Sequence, residues 1–207
     1  AFIEGYYLVA LLGTQLLKHE LAGAARVADQ SASGDSNAAR GAVVYDTRLT
    51  WNTIAQVDAM GGRAVVSKCG HSFIKGALRR EGAVYGGEMS AHHYFRDFYC
   101  CDSGMIPWLL LLERLVAEGR PLSALVADAQ AAYPCSGEIN FKVTDAAATL
   151  ARVDSAVQAS GECLVSESSL DGLSREFANW RFNLRMSNTE PVVRLNVESR
   201  GDRALMQ

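Results

Sequence analysis

The chain has no CxxC pair, no apolar run long enough to span a bilayer, no surplus of positive charge and no internal repeat. Its cysteines, at 69, 100, 101, 135 and 163, are odd in number, and adjacent Cys100 and Cys101 cannot easily bond each other. That pattern fits a reducing cytoplasm and argues against a disulfide scaffold. The longest apolar run, Met105 to Leu112, stops at Glu113 and Arg114, well short of the roughly 18 residues needed to cross a membrane. With 20 Lys+Arg against 23 Asp+Glu the net charge is −3, so no global basic field recruits nucleic acid or an anionic membrane. Any anion must be held by a local site. The first residues carry Glu4 and no basic n-region, and the apolar stretch Tyr6 to Leu17 is interrupted by Gly13, Thr14 and Gln15, which argues against a signal peptide.

What is present is enough for a core: 49% of the 207 residues are hydrophobic. Residues 4–18 read as a mostly apolar helix with Gly13 as its weak point. Residues 28–41, small and polar with no period, read as a loop. Three short β-rich runs follow, AVVYD (42–46), AVVS (64–67) and AVYG (83–86), separated by helices expected at 51–60 and 72–80, the first ended by Gly61 and Gly62 and the second by Gly82. Two more helices are expected at 104–118 and 121–133, the last broken by Pro134. This alternation predicts a three-layer α/β domain with a mixed sheet over residues 1–135. Beyond Pro134 the texture changes. GEINFKV (137–143) alternates like a half-buried strand, 145–159 is helical, and ECLVSESS, FANWRFNLRMS and PVVRLNVES read as three more strands. A small α+β domain with an antiparallel sheet is predicted over 136–207. Ala1 in place of Met, and a helix that has only begun at Gln207, lead us to expect further sequence at both ends.

Two clusters could carry chemistry. GGEMSAHHYF (86–95) follows a strand, where open α/β sheets present ligands. Glu88 can accept from two neighbouring sugar hydroxyls and Ser90 can donate or accept beside it, although a capped, solvated loop with exposed His92 and His93 fits the same residues. As a zinc pair the adjacent histidines are poor, since neighbours on a strand point to opposite faces. RMSNTEPVVR (185–194) crowds Arg185, Ser187, Asn188 and Thr189 into a turn ended by Pro191. Guanidinium, hydroxyls and amide suit the oxygens of a phosphate, and without Arg185 an ordinary polar turn would be the better reading. Arg48, at a strand end, could neutralise a phosphoryl group, and His71, at a helix start, could exchange a proton. A surface ion pair and a capping histidine are their plainer alternatives. Cys69 beside His71 lacks the third group a nucleophile needs.

YDTRLTW, KCGHSF, GGEMSAHHYFRDF, CDSGMIPWLL and NLRMSNTEPVVRLNVESR together resemble the bacterial phosphomannomutases of the α-D-phosphohexomutase superfamily, in order and approximate spacing over nearly the whole chain. Met89 resembles the hexose-type sugar loop, and Ala91 stands where the second Gly is usual, a replacement expected to be harmless. The resemblance implies that this chain is the third and fourth of four domains. It further implies that a phosphoserine loop and a magnesium loop belong to the missing N-terminal domains of the same enzyme, since no serine segment or aspartate run of those kinds is present. The implied activity interconverts mannose 6-phosphate and mannose 1-phosphate through a hexose bisphosphate, which also serves as activator, as a step toward GDP-mannose. By the same resemblance Glu88, Ser90 and His92 contact the sugar, Arg185, Ser187, Asn188 and Thr189 hold the nonreacting phosphate, and Arg48 and His71 lie near the reacting oxygen. Mg2+ belongs to the parent, and this chain carries no metal ligands for it. The role of Arg194 stays open. The competing reading is a noncatalytic phosphosugar-binding or assembly module.

Overall fold

The structure, a computed structural model, describes residues 3–28, 41–187 and 190–207. Two compact units divide the chain: the first holds residues 1–46 and 50–128, the second 47–49 and 129–207.

In the first unit, α1 (Gly5–Ala28) is followed by β1 (Ala42–Asp46), α2 (Trp51–Ala59), β2 (Arg63–Ser67), α3 (His71–Glu81), β3 (Tyr85–Gly87), β4 (His93–Phe95), β5 (Cys101–Asp102) and α4 (Met105–Glu118). The strand order is β2-β1-β3-β4-β5. β1 pairs in parallel with β2 and β3, whereas β3, β4 and β5 pair antiparallel, so the sheet is mixed. AVVYD is buried at every position because both faces of β1 are covered. Val43 and Tyr45 pack with Val9, Leu12 and Leu17 of α1 and Val57 of α2, while Ala42 and Val44 pack with Ile74, Ala77 and Leu78 of α3. Period-two alternation thus feeds two apolar layers and gives the expected three-layer α/β arrangement.

Several elements differ from the sequence reading. α1 runs ten residues past Lys18, because tertiary ion pairs hold its polar end: both Glu20 carboxylate oxygens accept from Arg96, at 2.8 and 2.9 Å, and His19 meets Glu113 at 3.0 Å. Of the expected 28–41 loop, residues 29–40 lie outside the described residues. β3 starts at Tyr85 and not at Ala83, whose N–H still donates to Leu78 of α3 while Gly82 (φ 59°) turns the chain left-handed. β4 and β5 were not anticipated; at three and two residues they are too short to show an alternation.

α5 (Leu122–Ala132) precedes the second unit's elements: β6 (Ile139–Lys142), α6 (Ala146–Ala159), β7 (Ser166–Ser168), β8 (Leu173–Glu176), β9 (Trp180–Met186), β10 (Val192–Ser199) and α7 (Arg203–Met206). The sheet order is β6-β10-β9-β8-β7, antiparallel throughout. β8 was not expected, and ECLVSESS contributes only Ser166–Ser168. LSRE has no β-branched residue; pairing with β9 and the Arg175–Asp154 ion pair, 2.6 Å, hold it. Asp145 is the N-cap of α6, accepting from the N–H of Ala148.

Parity divides this second sheet. Phe182, Leu184, Val193, Leu195 and Val197 join Leu150, Val153 and Val157 of α6 in one apolar cluster. The alternate residues of β9 and β10 form a polar row in register, Arg181 opposite Glu198, Asn183 opposite Asn196 and Arg185 opposite Arg194. Glu198, Asn183 and Asn196 are fully buried. Among the described residues no helix is long and apolar enough to cross a membrane.

Removing one partner of a buried ion pair strands the other charge. Arg181 meets Glu198 at 2.7 Å with side chains 5% and 0% exposed. Glu198→Ala is expected to cost the second unit about 3–5 kcal/mol, read as a lower urea midpoint; an unchanged midpoint would refute the dependence.

Candidate functional site

The C-terminal ends of β1, β2 and β3 bring together Asp46, the 68–70 turn and the 88–92 loop. Glu88 is 3% exposed and both its oxygens are engaged: Oε1 accepts from the N–H of Gly70 at 2.8 Å and Oε2 from the Tyr94 hydroxyl at 2.6 Å. Each oxygen keeps a second lone pair, so the carboxylate is fixed in direction and still able to accept. Gly70, at φ 116°, takes a conformation that only glycine adopts readily. Asp46 accepts from the N–H of Met89 at 2.7 Å, and two backbone bonds, Glu88 N–H to His92 O and Ala91 N–H to Glu88 O, close the loop. Ala91 is left-handed, φ 65°, a conformation in which its β-carbon costs about 1–2 kcal/mol. Ser90 is exposed at the loop tip.

The two adjacent histidines diverge. His92 is exposed, and its ring lies 4.6 Å from that of His71, edge to face. His71 opens α3 and also meets the Tyr94 ring at 5.3 Å. Asp102 stands near both, His71 Nδ1 at 3.8 Å and His92 Nδ1 at 3.6 Å. His93 turns inward on β4, where its Nδ1 and the Tyr85 hydroxyl share a hydrogen bond of 2.6 Å. Burial raises the pKa of Tyr85 well above its ordinary value, which keeps its hydroxyl protonated.

The second unit carries guanidinium groups. Arg185 and Arg194 are directly opposed on β9 and β10, a like-charge arrangement that is unfavourable by itself. Glu138, just before β6, accepts from both, at 3.0 and 3.3 Å, and Arg48 approaches the same carboxylate at 3.7 Å. Arg194 also meets Glu190 at 3.8 Å. Among the described residues, buried Nε of Arg185 and of Arg194 has no hydrogen-bond partner. Three guanidiniums against the two carboxylates Glu138 and Glu190 leave a positive balance and unused donors, the chemistry of an oxyanion site. The N–H of Ser187 donates to Val192 O; Asn188 and Thr189 lie outside the described residues.

Sequence reasoning passed over Asp46, Asp102 and Glu138, isolated carboxylates whose neighbours come from distant segments. The signal for the arginine row was present: polar residues at 181, 183 and 185 mirror those at 194, 196 and 198 across one hairpin. Magnesium was also implied for the parent. Asp46, Cys69 and Glu88 offer ligand atoms within 4.8 Å of one another, but a thiol is too soft for an ion that demands octahedral oxygen. These residues do not fit Mg2+.

Residues 4–133 match the model of the phosphoglucomutase/phosphomannomutase α/β/α domain III, and residues 138–207 match the C-terminal domain of the same family. A phosphomannomutase from Salmonella montevideo is 53% identical over 207 residues, covering 100% of this chain and 41% of that protein. Among solved structures, a phosphoglucomutase/phosphomannomutase family protein from Burkholderia thailandensis aligns with a TM-score of 0.66 and 30% identity over 93% of this chain and 38% of that one. An Aspergillus fumigatus N-acetylphosphoglucosamine mutase in complex with glucose 1,6-bisphosphate aligns with a TM-score of 0.63 over 98% of this chain and 41% of that one, and at 15% identity shares the fold. The chain thus spans about 41% of the length of the curated relative it matches.

Burial lowers the His93 pKa to about 4, and the charge of His92 adds to the effect. An unfolded imidazole titrates near 6.5, so on acidification the unfolded chain takes up this proton first. The contribution to stability is complete above about pH 6.5 and falls away between about 6.5 and 4, by on the order of 3 kcal/mol. Urea midpoints measured across that window are expected to fall less steeply for His93→Gln than for the parent; parallel slopes would remove His93 as the cause.

Proposed function

Because the chain belongs to the phosphoglucomutase/phosphomannomutase family, we propose that it is the substrate-holding part of a mutase that interconverts mannose 6-phosphate and mannose 1-phosphate. The observation that carries this reading is the opposed Arg185–Arg194 pair with Arg48 about a single largely buried carboxylate. A phosphate monoester brings about −1.5 to −2 charge at neutral pH, and three guanidiniums facing the two carboxylates Glu138 and Glu190 give the positive balance that would attract it. Arg185, Ser187, Asn188 and Thr189 hold the nonreacting phosphate in this proposal, and the unused Nε donors of Arg185 and Arg194 add Arg194 to that set.

In the first unit Glu88, with Ser90 and His92, receives the sugar. Two hydroxyls on neighbouring carbons meet the remaining lone pairs of Glu88, and the Gly70 and Tyr94 donors keep the carboxylate from rotating to follow a different spacing. Arg48 faces the developing charge of the transferring phosphoryl group, and His71 moves a proton at the reacting oxygen. The phosphoserine that gives and takes back the phosphoryl group, the hexose bisphosphate between the two transfers and the metal belong to the length of the relatives that this chain does not span. The functional division of the chain at residues 135 and 136 and a cytoplasmic location are part of the same proposal; all five cysteines are free thiols, which supports the latter.

Titration of the chain with mannose 1-phosphate tests the reading. Arg185→Ala is expected to weaken binding about 10- to 100-fold, since a hydrogen bond to a charged group contributes roughly 1.5–3 kcal/mol; unchanged affinity would sink the phosphate site. These 207 residues alone are expected to show no turnover in a coupled mutase assay with magnesium and a hexose bisphosphate, because uniform binding does not lower the chemical barrier. Sustained turnover would mean that a phosphoryl donor lies within the chain.

A further inference from the structure

We propose that His71, His92 and Asp102 form a binding site for one divalent cation of the zinc class, Zn2+, Co2+ or Ni2+. The three residues come from separate places, the start of α3, the loop after β3 and the strand β5, and one ligand atom from each lies within 4.8 Å of the other two. Asp102 splits its carboxylate between them: Oδ1 faces His71 Nδ1 at 3.8 Å and Oδ2 faces His92 Nδ1 at 3.6 Å. Zinc bonds of about 2.0–2.2 Å in a tetrahedron put neighbouring ligand atoms about 3.3–3.5 Å apart. From separations of at most 4.8 Å, the ligand atoms need side-chain rotations that close each gap by at most about 1.4 Å to reach that spacing. The side chains are 48%, 45% and 37% exposed, so they can make that adjustment and the cation can enter from solvent.

The surroundings hold the ligands in place. Asp102 is paired with Tyr94 in the β4–β5 ladder, His92 O accepts from Glu88 N–H, and the His71 ring stands at 88° to the Tyr94 ring. The two imidazoles meet edge to face, at 63°, and are not stacked, which leaves their in-plane lone pairs able to converge. Two imidazoles and one carboxylate select a borderline-soft cation and disfavour Mg2+, which prefers oxygen throughout. A fourth position stays open to water. His93, next to His92, turns inward onto Tyr85, and the partner for His92 is a histidine 21 residues earlier. Two of its three ligands, His71 and His92, are residues that the mutase reading gives to substrate. One consequence rests on that reading, namely that a resident cation withdraws both imidazoles from substrate.

The test is Co2+ titration of the reduced 207-residue chain, followed by visible d–d absorption, with far-UV circular dichroism and urea midpoints as a check on folding. One Co2+ per chain is expected, with no thiolate charge-transfer band. His71→Asn, His92→Asn and Asp102→Asn should each weaken binding at least tenfold while remaining folded, since all three side chains are solvent-accessible, and Cys69→Ser should bind like the parent. Parental affinity in all three variants would overturn the proposal. So would a thiolate band that Cys69→Ser removes, because it would assign the ion to Asp46, Cys69 and Glu88, and so would absence of binding at millimolar Co2+.

Discussion

Arg181 and Glu198 form a buried ion pair on the polar face of the second sheet, and much of that unit's chemistry depends on it. A charge pair removed from water is tolerable only when its remaining donors are also used. Arg181 uses them on the main chain, donating from Nη1 to the carbonyl of Arg48 and from Nη2 to that of Thr47. The segment 47–49 is thereby counted with the second unit although it follows β1 directly, and the Arg48 side chain comes within reach of Glu138. Two steps along the same strands, the register that sets Arg181 opposite Glu198 also sets Arg185 opposite Arg194.

The two units hold different kinds of chemistry. The first gathers carboxylates and imidazoles at strand ends, with Asp46 and Glu88 oriented by backbone N–H groups and an aromatic hydroxyl. The second gathers guanidiniums on a sheet face and shares one carboxylate among them. A net charge of −3 over the chain hides this separation, because electrostatic function depends on where charges converge and not on their sum.

What could be read from the sequence follows from how local each signal is. β1 and β2 were legible because Val-rich runs bounded by glycine carry their own pattern, and α3 and α4 because glycine stops them. The extension of α1 was not legible: its polar turns persist through contacts with Arg96 and Glu113, far along the chain. β4, β5 and β8 were missed because short strands take their conformation from neighbours. At the candidate site, Glu88, His71 and Arg185 stood out as chemistry-bearing residues in compact motifs, while Asp102 and Glu138 had no local context to mark them. Their positions beside the two histidines and the three arginines exist only once distant segments meet.

The polar row across β9 and β10 also constrains how that hairpin can assemble. Side chains alternate with a period of two, so a slip of one residue in either strand moves its whole set to the other face. Slipping β9 would carry Arg181, Asn183 and Arg185 into the apolar layer beneath α6 and turn Phe182 and Leu184 outward. Three polar groups, two of them charged, would then sit among aliphatic side chains without partners, which makes the misaligned hairpin far less stable than the aligned one. The polar row, Arg185 included, therefore also selects the register in which β9 and β10 pair.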